Sequence, residues 1–321
     1  TQMLWFDTHG DGLVKKSRVR RDDQDSMSGN AVMFDAVRGK IVTFGGQAKY
    51  DGSFGHRNAR LLTINEPFGK VRVQDAGLNG TSKEVVVNAG GMYNQRVYHT
   101  SVVLPDGTVF ITGGEIYGVP FNEDERDVQL TPEIYHPEWD IFLPLKQNNI
   151  IRVYHSLSIL LPDATVLNGG SGLCGNCTAN HYDAQIFTPP YLLREDGTPA
   201  LRPSTPEIVA NNFRVQVGAK LAFLADADIR NASLIRLGTV SHTVNTDQRR
   251  IPLSFTRSGE SENGLSRFEA DIPADAGIAL PGYYMLFVLN DKGVPSHAAT
   301  VKVELPRTPP TETEHIATVE E

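Results

Sequence analysis

Cysteine is nearly absent from this 321-residue chain: Cys174 and Cys177 are the only two. That excludes the cysteine-dense scaffolds of small secreted domains and any four-cysteine zinc module. Long apolar runs are missing as well. No stretch approaches the roughly 18 consecutive apolar residues of a membrane-spanning helix, so no membrane partner is expected. Positive charge is in deficit, with 30 Lys and Arg against 38 Asp and Glu and a net charge of −8. A chain of that sign has no general attraction for phosphate backbones, and no nucleic-acid partner is expected. Helical patterning is scarce too, since no segment convincingly repeats apolar residues at i, i+3, i+4 and i+7. The opening residues Thr1-Gln2-Met3-Leu4-Trp5 lack the charged and apolar regions of a secretory leader, so the chain reads as already processed. What remains is an ordinary globular composition, 40% hydrophobic and 21% charged, with length for two domains.

Glycine, by contrast, is plentiful and patterned. Doublets recur at Gly45-Gly46, Gly90-Gly91, Gly113-Gly114 and Gly169-Gly170, mostly after apolar runs. Two stretches, Tyr98 to Gly114 and Tyr154 to Gly170, both begin Tyr-His, carry a Pro-Asp turn and end Gly-Gly, and they align without a gap. A third, Asn30 to Gly46, shares their length and apolar pattern but begins Asn30-Ala31. Outer-strand phrases follow two of the doublets, Pro132 to Pro137 and Ala184 to Pro189. Strand, turn, strand and doublet, repeated every ~50–70 residues, are the pattern of β-propeller blades. The repeat stops near Phe187, and a proline-rich stretch ending at Pro206 reads as a linker. Beyond it, seven short strands are expected, over Phe213–Val217, Lys220–Leu224, Ser233–Leu237, Arg250–Thr256, Arg267–Ile272, Tyr283–Asn290 and Ala299–Glu304. Seven strands in about 100 residues fit a Greek-key sandwich of immunoglobulin type.

The Cys174-Gly-Asn-Cys177 spacing suits a redox pair, half of a zinc site or a small disulfide loop. The βαβ context of the first and the extra ligands of the second are missing, which favours a structural disulfide. Sequons at Asn79, Asn176 and Asn231 permit glycosylation, and together with the disulfide they point to secretion.

Three segments carry a resemblance: Val153-Tyr154-His155-Ser156, the loop from Gly172 to Thr178, and the long stretch from Gly238 through His242 to Leu253. They resemble the copper radical oxidases of the galactose oxidase family, and the likeness runs from about Leu4 to Val303. The resemblance implies an all-β chain: kelch-type β-propeller blades over 1–191, part of an expected seven-bladed ring, then a linker over 192–206. An immunoglobulin-like β-sandwich over 207–305 and a flexible tail over 306–321 complete it. It implies copper on the propeller axis, with Tyr154 as axial ligand and general base, His155 as an equatorial ligand and His242 as the ligand of a hairpin threading the propeller. Cys174 and Cys177 match the family's disulfide loop. Arg20, Tyr50, Tyr98 and Phe121 fall where the family contacts substrate. A basic run such as Arg18 to Arg21 is ordinarily a solvated surface, and Tyr98-His99 fits simple packing equally well.

The implied reaction converts a primary alcohol and O2 to an aldehyde and H2O2. Asp51 and Tyr98 depart from the pattern expected for galactose, which puts aryl alcohols and other sugars beside it as substrates. An aldehyde oxidase resembling glyoxal oxidase, and a non-catalytic module binding carbohydrate or protein, are the alternatives. The family's second redox centre is a tyrosyl radical cross-linked to cysteine. Its residues have no counterpart in this chain, and three blades cannot close a ring that needs at least four. The expectation is therefore an extracellular protein whose N-terminal fragment supplies the remaining blades and the radical.

Overall fold

A computed structural model describes residues 2–20, 24–77, 81–82, 85–86, 90–122, 124, 126–209, 213–262 and 264–306. The tail beyond residue 306 and the sequon at Asn79 lie outside the described residues. The described chain is all β apart from a single 3-10 turn at Pro190–Leu192.

Three antiparallel sheets form successive blades. The first runs Asn30–Asp35, Lys40–Phe44, Ala59–Thr63, Arg72–Asp75 from inner to outer strand. The second runs Thr100–Val103, Val109–Thr112, Glu133–His136, Ile141–Pro144. The third has three strands, Leu157–Leu160, Val166–Gly169 and Ala184–Phe187. In the second blade, which packs between the other two, both inner strands are buried on both faces, and Val102, Val109, Phe110 and Ile111 lie inside.

Strand register corrects the ungapped alignment of the repeats. Leu104 and Leu161 occupy the same turn position, each donating its N–H to the threonine beyond the turn, Thr108 and Thr165. The copies are therefore one residue out of step at their starts and ends. Tyr98 is matched by His155, not by Tyr154, and both have a left-handed backbone two residues before an inner strand, as Ser28 does in the first blade. Gly113-Gly114 is matched by Gly170-Ser171, whereas Gly169 is the last residue of a strand.

Beyond the blades, two sheets make the sandwich. One has four strands, including Lys220–Ala225 and Leu265–Asp271; the other has five, with Gly282–Leu289 at its centre. The strand expected over Arg250–Thr256 is in fact two. Arg250–Leu253 belongs to the five-stranded sheet and Phe255–Glu262 to the other, the chain changing sheets at Ser254. From Tyr284 to Leu289 the central strand is buried at every position because the sheet is covered there on both faces. Tyr284, Leu286 and Val288 join the sandwich core, while Met285, Phe287 and Leu289 join the core of the blades. The first-hairpin turn of every blade is tied to this sheet: Ala36 N–H donates to the Arg250 carbonyl, Ser233 Oγ donates to the Pro105 carbonyl, and Ala298 N–H donates to the Pro162 carbonyl. The sandwich thereby fixes the three blades relative to one another.

Candidate metal centre

The residues of the candidate centre come from four segments. Tyr154 and His155 occupy a β-turn entering the third blade, closed by Ser156 N–H donating to the Val153 carbonyl at 2.9 Å. His155 takes the third place of that turn with φ of 68°, where glycine is the usual residue. Its Nδ1 faces the Gly172 carbonyl, so Nδ1 carries the proton and the Nε2 lone pair points elsewhere. Gly172 N–H in turn donates to the Tyr154 carbonyl at 2.8 Å. The loop holding Gly172 is closed by the Cys174–Cys177 disulfide and by Asn180, whose Oδ1 accepts from the Leu173 and Cys174 N–H groups. The disulfide thus braces the carbonyl that orients His155.

His242 arrives from the sandwich. Val240–Ser241 and Val244–Asn245 form a two-stranded hairpin packed against the inner strands of the second and third blades. Its tip, His242-Thr243, has φ of 53° and 67°, the signature of a type I′ turn that normally calls for Asn-Gly. Gln248 anchors the hairpin base, its Oε1 accepting from Val103 N–H and its Nε2 donating to the Ser101 carbonyl. The Nδ1 of His242 pairs with Ser241 Oγ at 2.7 Å. Non-glycine residues in the left-handed region cost about 1 kcal/mol or more each, and such strain gathers where a side chain must be aimed.

The rings converge. Centroids lie 4.2 Å apart for Tyr154 and His155, 5.0 Å for His155 and His242, and 5.8 Å for Tyr154 and His242. Among the described residues no cluster of three His, Cys, Asp or Glu side chains has metal-binding spacing, so the donors available besides the two imidazoles are phenolic. Tyr50, a residue 53% exposed, supplies a second phenol, its Oη 3.3 Å from Tyr154 Oη. Burial and the Tyr50 hydroxyl push the Tyr154 pKa up to about 12, so without a cation nearby the phenol keeps its proton. Two imidazole nitrogens and phenol oxygens are a donor set that suits Cu(II).

The remaining sequence candidates fall in different places. Phe121, itself left-handed at φ 69°, packs edge-on to Tyr154 at 5.2 Å and lies 5.4 Å from His155. Its loop is tied to the Tyr50 loop by pairing of Tyr117–Gly118 with Ser53–Phe54. Tyr98 is fully buried, its ring edge-on to Tyr154 at 5.0 Å and its hydroxyl donating to the Tyr50 carbonyl; burial raises its pKa well above the ordinary tyrosine value. It supports Tyr50 and Tyr154 from behind. His99 faces the packed interior against Phe44, and desolvation there lowers its pKa to about 3. Arg20 donates to Ser26 Oγ and lines a groove of about 400 Å³ beside Val244 and Thr246 of the hairpin.

Two supporting residues escaped the sequence reading. Gln47 donates to the Tyr50 carbonyl at 2.7 Å, and Glu115 accepts from Val119 N–H at 3.1 Å beneath the Phe121 loop. Each immediately follows a glycine doublet, and Gly172 follows the equivalent pair, Gly170-Ser171. The position after the doublet was therefore the signal that marks them.

Comparison with known proteins gives a consistent picture. The model of the galactose oxidase-like early set domain matches residues 201–303, and that of the glyoxal oxidase N-terminus matches residues 39–191. Galactose oxidase of Gibberella zeae is 50% identical over 307 residues, covering 94% of this chain and 42% of the relative. An aldehyde oxidase of Arabidopsis thaliana is 28% identical over 246 residues, 71% of this chain and 39% of the relative. Among solved structures, a fungal alcohol oxidase of the AA5 family in complex with copper aligns with a TM-score of 0.83 at 40% identity, over 95% of this chain and 60% of that one. The chain thus spans about two fifths of the length of these curated relatives.

Proposed function

The chain belongs to the galactose oxidase-like family, and on that premise we propose that it carries the copper-binding part of an oxidase acting on primary alcohols. The reaction is RCH2OH + O2 to RCHO + H2O2. The observation that carries this reading is the meeting of Tyr154 and His155 from a blade with His242 from the sandwich hairpin, all within 6 Å between ring centroids. Copper held by these three side chains would supply Lewis acidity toward the substrate hydroxyl and one of the two electron-accepting equivalents that alcohol oxidation needs.

The chain's own residues do the rest. The two imidazoles present Nε2, their Nδ1 atoms being engaged by Gly172 and Ser241. Tyr154 Oη is the proton acceptor for the substrate hydroxyl, a role that requires a bound cation to offset the upward shift that burial and the neighbouring Tyr50 hydroxyl give its pKa. Phe121 and Tyr50 form the substrate wall, Tyr98 holds Tyr50 in place, and Arg20 donates to hydroxyls of a sugar-like substrate. The second one-electron centre, a tyrosine cross-linked to cysteine, and the remaining blades belong in this reading to an N-terminal portion of the same protein. The setting is extracellular, with the disulfide intact and the exposed sequons at Asn176 and Asn231 available for glycosylation.

Similarity to aldehyde oxidases favours hydrated aldehydes as a second substrate class. The test is metal content and peroxide release. Stoichiometric copper in the purified complex, lost in His242→Ala, is expected; a copper-free preparation, or peroxide release unchanged in His242→Ala, refutes the proposal. Benzyl alcohol, galactose and methylglyoxal compared in the same assay rank the substrates.

A further inference from the structure

A groove of about 890 Å³ has a lining that shares no residue with the candidate metal centre. It lies where the outer strands of the second blade meet the linker and a sandwich turn. Trp139, on the turn between Glu133–His136 and Ile141–Pro144, is 56% exposed, and its indole lies parallel to the His136 imidazole, 3.9 Å between centroids and 8° between planes. The turn is held rigidly: Asp140 Oδ1 accepts from Tyr135 Oη at 3.0 Å and from Gly77 N–H at 2.7 Å.

The other walls are also braced turns. Arg194 and Glu195 sit on a turn closed by Gly197 N–H donating to the Arg194 carbonyl and Arg194 N–H donating to the Thr198 carbonyl. Lys292 sits on one in which Asn290 Oδ1 accepts from the Lys292 and Val294 N–H groups. Asp106 completes the lining from the blade's own Pro-Asp turn. The groove therefore offers a flat aromatic platform edged by two carboxylates, a guanidinium and an ammonium, all presented by backbone that needs no reordering.

We propose that this groove is a carbohydrate-binding site, taking a neutral pyranose unit stacked on Trp139. The C–H face of a pyranose is apolar and flat, matching an indole whose orientation is already set. Ring hydroxyls donate and accept, and both kinds of partner stand at the rim. The four charges cancel, which fits an uncharged polyol and not an anionic or cationic ligand. The volume falls in the range of small-ligand sites, enough for one or two sugar units. Such a site holds a glycan on the flank of the blades, independently of chemistry at the metal.

The chain has two tryptophans, so a Trp5→Phe variant leaves Trp139 as its only indole, and quenching that Trp139→Ala abolishes is assigned to it. Titrating it with cellohexaose and with mannohexaose should give, for at least one of them, saturable quenching with a Kd of about 1 mM or tighter. Trp139→Ala should weaken that binding by roughly tenfold or more in calorimetry, with Trp139→Phe intermediate and copper content unchanged. If Trp139→Ala lowers the melting temperature, Glu195→Gln replaces it, with a smaller loss of affinity expected. No saturable signal with either saccharide, wild-type affinity in the folded variants, or tighter binding of a sulfated heparin hexasaccharide than of the neutral ones overturns the proposal. None of these readouts depends on oxidase activity, so the proposed function can fail or hold separately.

Discussion

Two buried arginines hold equivalent places in successive blades, and their unequal partners give a sharp prediction. Arg96 and Glu133 are both fully buried. Arg96 Nη2 donates to Glu133 Oε1 at 2.7 Å and its Nε to the same oxygen at 3.2 Å, while Nη1 donates to the Gly113 carbonyl and Nη2 also to the Thr131 carbonyl. Glu133 further accepts from the Tyr93 and Asn94 N–H groups. Glu133→Gln leaves an uncompensated guanidinium in the core and turns an amide N–H toward a backbone donor, which should cost roughly 3–5 kcal/mol. Arg152 is just as buried, but Asp183 is half exposed, and Nε and Nη2 of Arg152 have no partner among the described residues. Water can replace the lost carboxylate there, so Asp183→Asn should cost several-fold less.

Urea denaturation of the two variants, followed by near-ultraviolet circular dichroism, measures both. The double replacement Arg96→Met with Glu133→Leu should not restore stability. Each partner also satisfies two backbone groups, and an apolar pair would strand all four. Equal losses in the two single variants, or full recovery in the double one, refutes the reasoning.

Glu115 gives a pH-dependent test. Burial pushes its pKa up to about 8. Between the unfolded value of about 4.3 and that point the native state holds a proton that the unfolded state has released, so the stability from this group falls as pH rises through the window. Glu115→Gln removes the slope, and its melting temperature should pull ahead of wild type between about pH 5 and pH 8; parallel curves would rule out the assignment. Gly45 has φ of 64°, and a Cβ there would stand 2.5 Å from His99 Cε1 and 2.8 Å from the Arg96 carbonyl oxygen. Gly45→Ala should cost roughly 2–4 kcal/mol, whereas Gly197→Ala, with equal backbone strain and nothing within 4 Å, should cost about 1 kcal/mol in the same chemical melt. Reducing Cys174–Cys177 frees the Gly172 loop, so copper retention against a chelator should fall while the blades' circular dichroism stays the same; retention as in the oxidised protein would detach the disulfide from His155.

The sequence by itself determined the fold class, because apolar alternation, Pro-Asp turns and glycine doublets are local signals repeated often enough to outweigh chance. It also marked Tyr154, His155 and His242, whose neighbourhoods are long and distinctive. Tertiary structure decided the phase of the repeats. Two compensating one-residue differences left the third copy the same length as the second, and only hydrogen-bond register shows that His155, not Tyr154, takes the place of Tyr98. It also decided that Tyr98 is buried support, that Tyr50 Oη stands beside Tyr154 Oη, and that Arg250–Thr256 changes sheets. These depend on which faces meet across distant parts of the chain, and residue order alone does not encode which of two packed faces a side chain finds. The near absence of cysteine carries meaning for the same reason: its single bridge braces the loop that aims His155, a role visible only once that loop is folded against the third blade.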